Sequence, residues 1–239
     1  GAVRGACGLQ EGGPLEDRHS KIRERVARHT RAGDADRIAE FLGELVGAPF
    51  PAAAGSPLQA ARQDARLMGE QLRRAFEDFL DAETAAHPVL LVLEDLHWGD
   101  LPTVRFVDAA LRNLKNRPLL VLALARPEVE EHFPRLWSQH PMQKVRLRPL
   151  SPRASERLVA QVLGETVSPE TKARIVMLAD GNPFFLEELV RAVGEGKSAG
   201  RAGGTELPET VLAMVQARLA ALPVEARRTL RAASVFGKS

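Results

Sequence analysis

Two short, unbroken apolar runs constrain this chain more than any other feature: VLLVL at 89–93 and LLVLAL at 119–124. Each has the length of a strand and is rich in Val and Leu. A continuous apolar run of this kind predicts a strand buried on both faces of a parallel sheet. The residues between them read as one helix. Asp100 can cap its start, with Pro102 in the first turn. Val104, Val107, Leu111 and Leu114 then repeat with the helical period, and Arg117-Pro118 ends the segment. Strand, helix and strand in succession predict a βαβ unit with a right-handed crossover, and so an α/β fold.

The flanking sequence is helical in pattern. Ile22, Val26 and His29 share one face near the start, and Ile38, Phe41, Leu42 and Leu45 form a second stripe. Residues 47–58 (GAPFPAAAGSPL) predict a loop, followed by a long helix from about Ala61 to Ala86 whose inner face holds Met68, Leu72, Phe76, Phe79 and Leu80. After the second run, Lys144 to Arg148 alternates charged and apolar residues, as a half-exposed strand would. Ser151-Pro152 and Ser168-Pro169 each read as an N-cap followed by an N1 proline. Helices are expected over 152–164, 169–179, 183–194, 208–221 and 224–236, with a Gly-rich linker at 194–206.

Composition narrows the function classes. The 239 residues carry 33 basic and 31 acidic side chains, a net charge of +2, so no basic surface for nucleic acid is expected. No apolar run reaches the ~18 residues of a membrane span, and no secretory signal is present, which points to the cytoplasm. The single Cys7 cannot form an internal disulfide.

The first apolar run continues as VLLVLEDLHWGD. Acids at the end of such a strand stand at the carboxyl edge of the sheet, where α/β proteins bind ligands. Glu94 can hold Mg²⁺ and Asp95 can position water. The plainer reading is an acidic, helix-capping turn. His97 and Trp98 read either as ligand or base-stacking residues or as packing for that turn. Arg126, just past the second run, can reach a phosphate or sit as a loop arginine. In DGNPFFLEEL (180–189), Gly181 and Pro183 frame a tight turn at a helix start.

These motifs, in this order, resemble the STAND family of signalling ATPases within the AAA-like P-loop proteins. The resemblance implies a Walker B segment at Glu94 and Asp95, with ATP and Mg²⁺ as cofactors. It implies a γ-phosphate sensor at Arg126 and an adenine-side turn at Gly181 and Pro183. Glu at the first acidic position departs from the family's usual aspartate. The implied organisation is a partial P-loop core over 1–150, a helical lid over 151–200 and the start of a winged-helix region over 201–239. Partners would be ATP or ADP and effector domains of a larger chain, such as a Ser/Thr kinase, a cyclase or a LuxR-type regulator, with homo-oligomerisation left open. A degenerate scaffold that binds proteins and no nucleotide is the alternative.

Gly196-Lys197-Ser198 and Gly237-Lys238-Ser239 imitate the end of a phosphate-binding loop. Neither has the first glycine at the required spacing, and neither lies between a strand and a helix. The true loop is therefore expected before Gly1. The chain without it is expected to bind ATP poorly or not at all.

Overall fold

The computed structural model describes residues 1–10, 12–198, 216, 219–220 and 222–235. The chain falls into two units, Gly1–Gln143 and Lys144–Ser239.

The first unit begins with helices α1 (Ala2–Ala6), α2 (Leu15–Ala27), α3 (Ala32–Leu45), α4 (Pro57–Gln63) and α5 (Ala65–Ala86). The apolar stripes read from the sequence are their inner faces. Ile22, Val26, Ile38, Phe41 and Leu42 are essentially inaccessible and pack with Phe50, Leu58, Phe76, Phe79 and Leu80. Each such side chain contributes about 1.5–3 kcal/mol by leaving water. Gly43 allows the closest approach in this core. A Cβ there would sit 2.5 Å from the Phe50 ring and 2.6 Å from the Ala48 carbonyl oxygen. The expected single helix from Ala61 is in fact broken at Asp64, where the backbone is extended and the carboxylate accepts from the N–H groups of Arg66 and Leu67. A capping side chain thus starts a new helix where helical periodicity alone would run through.

Helix α5 leads into strand β1 (Val89–Leu93), which continues through α6 (Leu101–Asn113) to strand β2 (Leu119–Ala123). The strands are parallel, with Val89 opposite Leu119 and Leu93 opposite Ala123. Asp100 caps α6 through Thr103 N–H at 2.6 Å. The expected βαβ unit is therefore present. The expected burial on both faces is not. Leu91 is buried, with Leu93 and Val121 beside it, against Val104, Val107 and Trp137. Leu90, Val92, Leu120 and Leu122, on the opposite face, are 42–65% exposed. Only one layer covers the two strands among the described residues. Residues 129–132 form the short helix α7 (Val129–His132). Trp137, in a left-handed conformation (φ 44°), donates its indole N–H to the Val104 carbonyl and fastens this layer.

The segment 144–148 is not a strand. It joins no ladder among the described residues, and Val145 and Leu147 are 69% and 89% exposed. Its alternation is strand-like, but a strand exists only through hydrogen bonds to a neighbour, and none is supplied here.

The second unit is helical among its described residues: α8 (Pro152–Leu163), α9 (Pro169–Ala179), α10 (Pro183–Ser198) and α11 (Val224–Val235). Ser151 and Ser168 cap α8 and α9 through Ala154 N–H and Thr171 N–H. Val159, Ile175, Leu186 and Leu189 form the core of α8 to α10. Gly196-Lys197-Ser198 belongs to α10 and so makes no loop. Gly237-Lys238-Ser239 and most of the expected helix 208–221 lie outside the described residues.

Candidate functional site

Parallel pairing places the carboxyl ends of β1 and β2 side by side, because Leu93 lies opposite Ala123. Glu94 and Asp95 follow β1 directly, and Arg126 follows β2 by three residues. All three side chains are exposed. The two exit loops are joined by backbone hydrogen bonds, Leu124 N–H to Leu93 O at 2.8 Å and Leu96 N–H to Leu124 O at 3.0 Å.

Asp95 turns the chain. It adopts the left-handed region at φ 50°, ψ 40° and begins a single 3₁₀ turn, Leu96–Trp98. A non-glycine residue there is held by its surroundings, and Asp is among the few side chains that tolerate the conformation. Leu96 anchors the turn in the core at 3% exposure. Gly99 closes it, since a Cβ there would lie 2.9 Å from the Leu96 carbonyl oxygen.

His97 spans the two loops. Its Nδ1 accepts from the Arg126 backbone N–H at 3.3 Å, which places the ring proton on Nε2. That Nε2 is buried with no hydrogen-bond partner among the described residues. A packing role thus fits His97, which fixes the start of the Arg126 loop. It does not fit Trp98, which is 69% exposed with its ring edge-on to His97.

Gly181 and Pro183 lie in the second unit. Asp180 (φ 44°) and Gly181 (φ 73°) end α9 with two left-handed residues. Gly181 O accepts from Leu150 N–H at 2.8 Å, and a Cβ on Gly181 would stand 2.7 Å from the Leu150 carbonyl oxygen. Glycine is therefore required by local packing, whatever else the turn does. Asn182 caps α10 through Phe184 N–H at 3.0 Å, and Pro183 is the first residue of that helix. Pro183 opens onto an apolar groove of about 590 Å³ lined by Leu150, Leu158, Val162, Leu186 and Val190, with Glu187 and Arg191 at its polar side. Its volume suits a small organic group.

Sequence reasoning missed two features of the first unit. One is Trp137, whose left-handed backbone gives no sequence signal. The other is a group formed by His29, Glu83 and His87, residues 54 or more positions apart for the outer pair's first member and its partners. His29 was visible only as one position on a helical face.

Residues 14–122 match the family model of the AAA ATPase domain. The match supports a P-loop-ATPase-like module that depends on nucleotide. It covers β1 and most of β2 and stops short of Arg126 and of the second unit. An uncharacterized protein of Rhizobium meliloti (strain 1021) is 26% identical over 208 residues, which is 84% of this chain. The chain spans 19% of that relative's length. No solved structure matches the chain. No helix among the described residues is long and apolar enough to cross a membrane.

Proposed function

We propose that this chain is the acid-bearing part of a STAND-type regulatory switch ATPase, working inside a larger cytoplasmic signalling protein. The observation that carries the reading is the shared rim: Glu94, Asp95 and Arg126 leave the carboxyl ends of two paired parallel strands, and their loops are tied together. That is where ligands of α/β sheets bind. The AAA ATPase match over 14–122 supports the nucleotide-dependent part of this reading.

The residues fit the cofactor the family implies. Mg²⁺ takes one or two carboxylates, keeps several waters and binds phosphate oxygens, and two exposed carboxylates at a sheet rim supply such hard donors. When bound, Mg²⁺ neutralises charge on the nucleotide's phosphates. In this reading Glu94 holds the metal through its carboxylate or an intervening water. Asp95, turned off the strand by its left-handed backbone, orients the attacking water. Arg126 offers its guanidinium fork to the γ-phosphate. Pro183 and the turn at Gly181 present an apolar surface to adenine, and the groove beside Pro183 supports that role.

Regulation follows from two states. A nucleotide that binds one state of the module more tightly shifts the population toward it. The much longer relative supports an effector domain elsewhere in the parent chain, for which a Ser/Thr kinase or a cyclase is our proposal. The sheet face at Leu90, Val92, Leu120 and Leu122, exposed among the described residues, supports completion of the core by further sequence, since parallel sheets are covered on both faces.

The test is ATP turnover by the full-length product of the gene. Glu94→Gln with Asp95→Asn is expected to lower turnover at least tenfold. Equal turnover rejects the assignment of the acid pair.

A further inference from the structure

At the amino end of β1, opposite the acidic rim, three side chains converge that the nucleotide reading does not use. Glu83 lies in the last turn of α5, and His87 is the residue that ends that helix, two positions before β1. His29 follows the end of α2. One ligand atom from each lies within 4.8 Å of the other two. The Glu83 side chain is only 4% exposed, whereas both imidazoles reach solvent. His87 Nε2 stands 3.3 Å from Glu83 Oε2, and the two imidazoles meet edge-on with centroids 5.5 Å apart.

We infer that His29, Glu83 and His87 form a binding site for a divalent transition-metal ion of the Zn²⁺ class. Two imidazoles and one carboxylate are a donor set that suits Zn²⁺ and its neighbours. They supply too few oxygens for Ca²⁺ or Mg²⁺. Ligands of a tetrahedral ion held at ~2.0–2.1 Å lie roughly 3.3 Å apart, the separation that His87 and Glu83 already have. Rotation of the exposed His29 ring supplies the third position, and water takes the fourth.

Burial and hydrogen bonding prepare the carboxylate. The Arg25 guanidinium donates to Glu83 Oε2 at 2.5 Å and fixes its orientation, as outer-shell partners of metal ligands do. The same positive charge lowers affinity for a cation, so the site is a moderate one. Cys7 is not among the groups whose ligand atoms converge here, so it is not counted as a ligand. A bound ion would join the end of α2 to the end of α5, just before β1. It would act as a staple at the base of the sheet, at the opposite end of β1 from Glu94 and Asp95.

The experiment uses the full chain, stripped with a chelator and titrated with Co²⁺ followed by visible absorption. Saturation at one ion per chain is expected, with intense tetrahedral bands that Zn²⁺ displaces. His29→Ala and His87→Ala, both at exposed positions, are each expected to weaken binding at least tenfold. Glu83→Gln disturbs a buried ion pair, so the two His variants carry the test. Failure to saturate overturns the site, as does unchanged affinity in either His variant. The readout involves no nucleotide, so its failure leaves the ATPase reading standing.

Discussion

Glu83, before β1, is held almost out of water, its charge answered by Arg25, with the His87 ring beside it. Glu94 and Asp95, after the same strand, stand in solvent on a turn whose backbone is left-handed. The two ends of one strand thus handle carboxylates in opposite ways. At the buried end, pairing offsets desolvation, and the fold depends on the partner. At the exposed end, the fold gains little from either acid and carries an uncommon backbone conformation to present them. Charges kept available, at a small cost in stability, are what a ligand site requires.

The largest effect is expected at Arg25. Arg25→Ala leaves Glu83 buried beside His87 alone and should lower unfolding free energy by about 3 kcal/mol in urea with chelator present. Glu94→Gln should change it by less than about 0.5 kcal/mol. Similar losses for the two variants would erase the contrast.

Asp95 sharpens it. Asp95→Gly should raise stability by about 1 kcal/mol, because glycine adopts φ 50° without a Cβ penalty. Asp95→Asn should leave stability nearly unchanged, since Asn also tolerates this region. Both remove the carboxylate, so the pair separates conformational cost from chemistry.

His97 gives an effect of similar size and opposite sign. His97→Ala removes the acceptor of the Arg126 N–H and should cost about 1 kcal/mol. Hydrogen exchange at that amide should quicken roughly fivefold, and Asn, which can place an oxygen near the Nδ1 position, should restore most of the protection.

Asp108 gives the smallest. Burial pushes its carboxyl up, but hydrogen bonds and charge from His140 and Arg112 outweigh this and hold it below the usual carboxylate range. A lowered folded-state pKa adds stability that is present above about pH 4 and is lost as pH falls through the folded value. Acid titration of stability should therefore show a loss below about 1 kcal/mol in that window, absent in Asp108→Asn.

Local chemistry was legible in the sequence. Asp100, Ser151 and Ser168 cap the helices that follow them, as their positions predict, and the two apolar runs pair as parallel strands. Periodicity also identified the inner faces carrying Ile22, Phe41 and Phe79. What depends on neighbours was not legible. Apolarity at Leu90 and Leu120 shows that those residues suit burial, not that a layer covers them. The alternation at 144–148 shows a strand-forming pattern, not a partner. Of the candidate site, sequence order placed Glu94, Asp95 and Arg126 on strand exits. The left-handed turn at Asp95 and the link from His97 to Arg126 are tertiary facts with no spacing rule. His29, Glu83 and His87 meet only because α2 and α5 end at the same place.

The most direct test of the nucleotide reading is the Mg²⁺ dependence of ATP binding to the full-length protein, measured at equilibrium with native sequence and with Glu94→Gln/Asp95→Asn. Mg²⁺ is expected to tighten ATP binding at least tenfold in the native protein and to have no such effect in the variant. Equal Mg²⁺ dependence in both would contradict that reading.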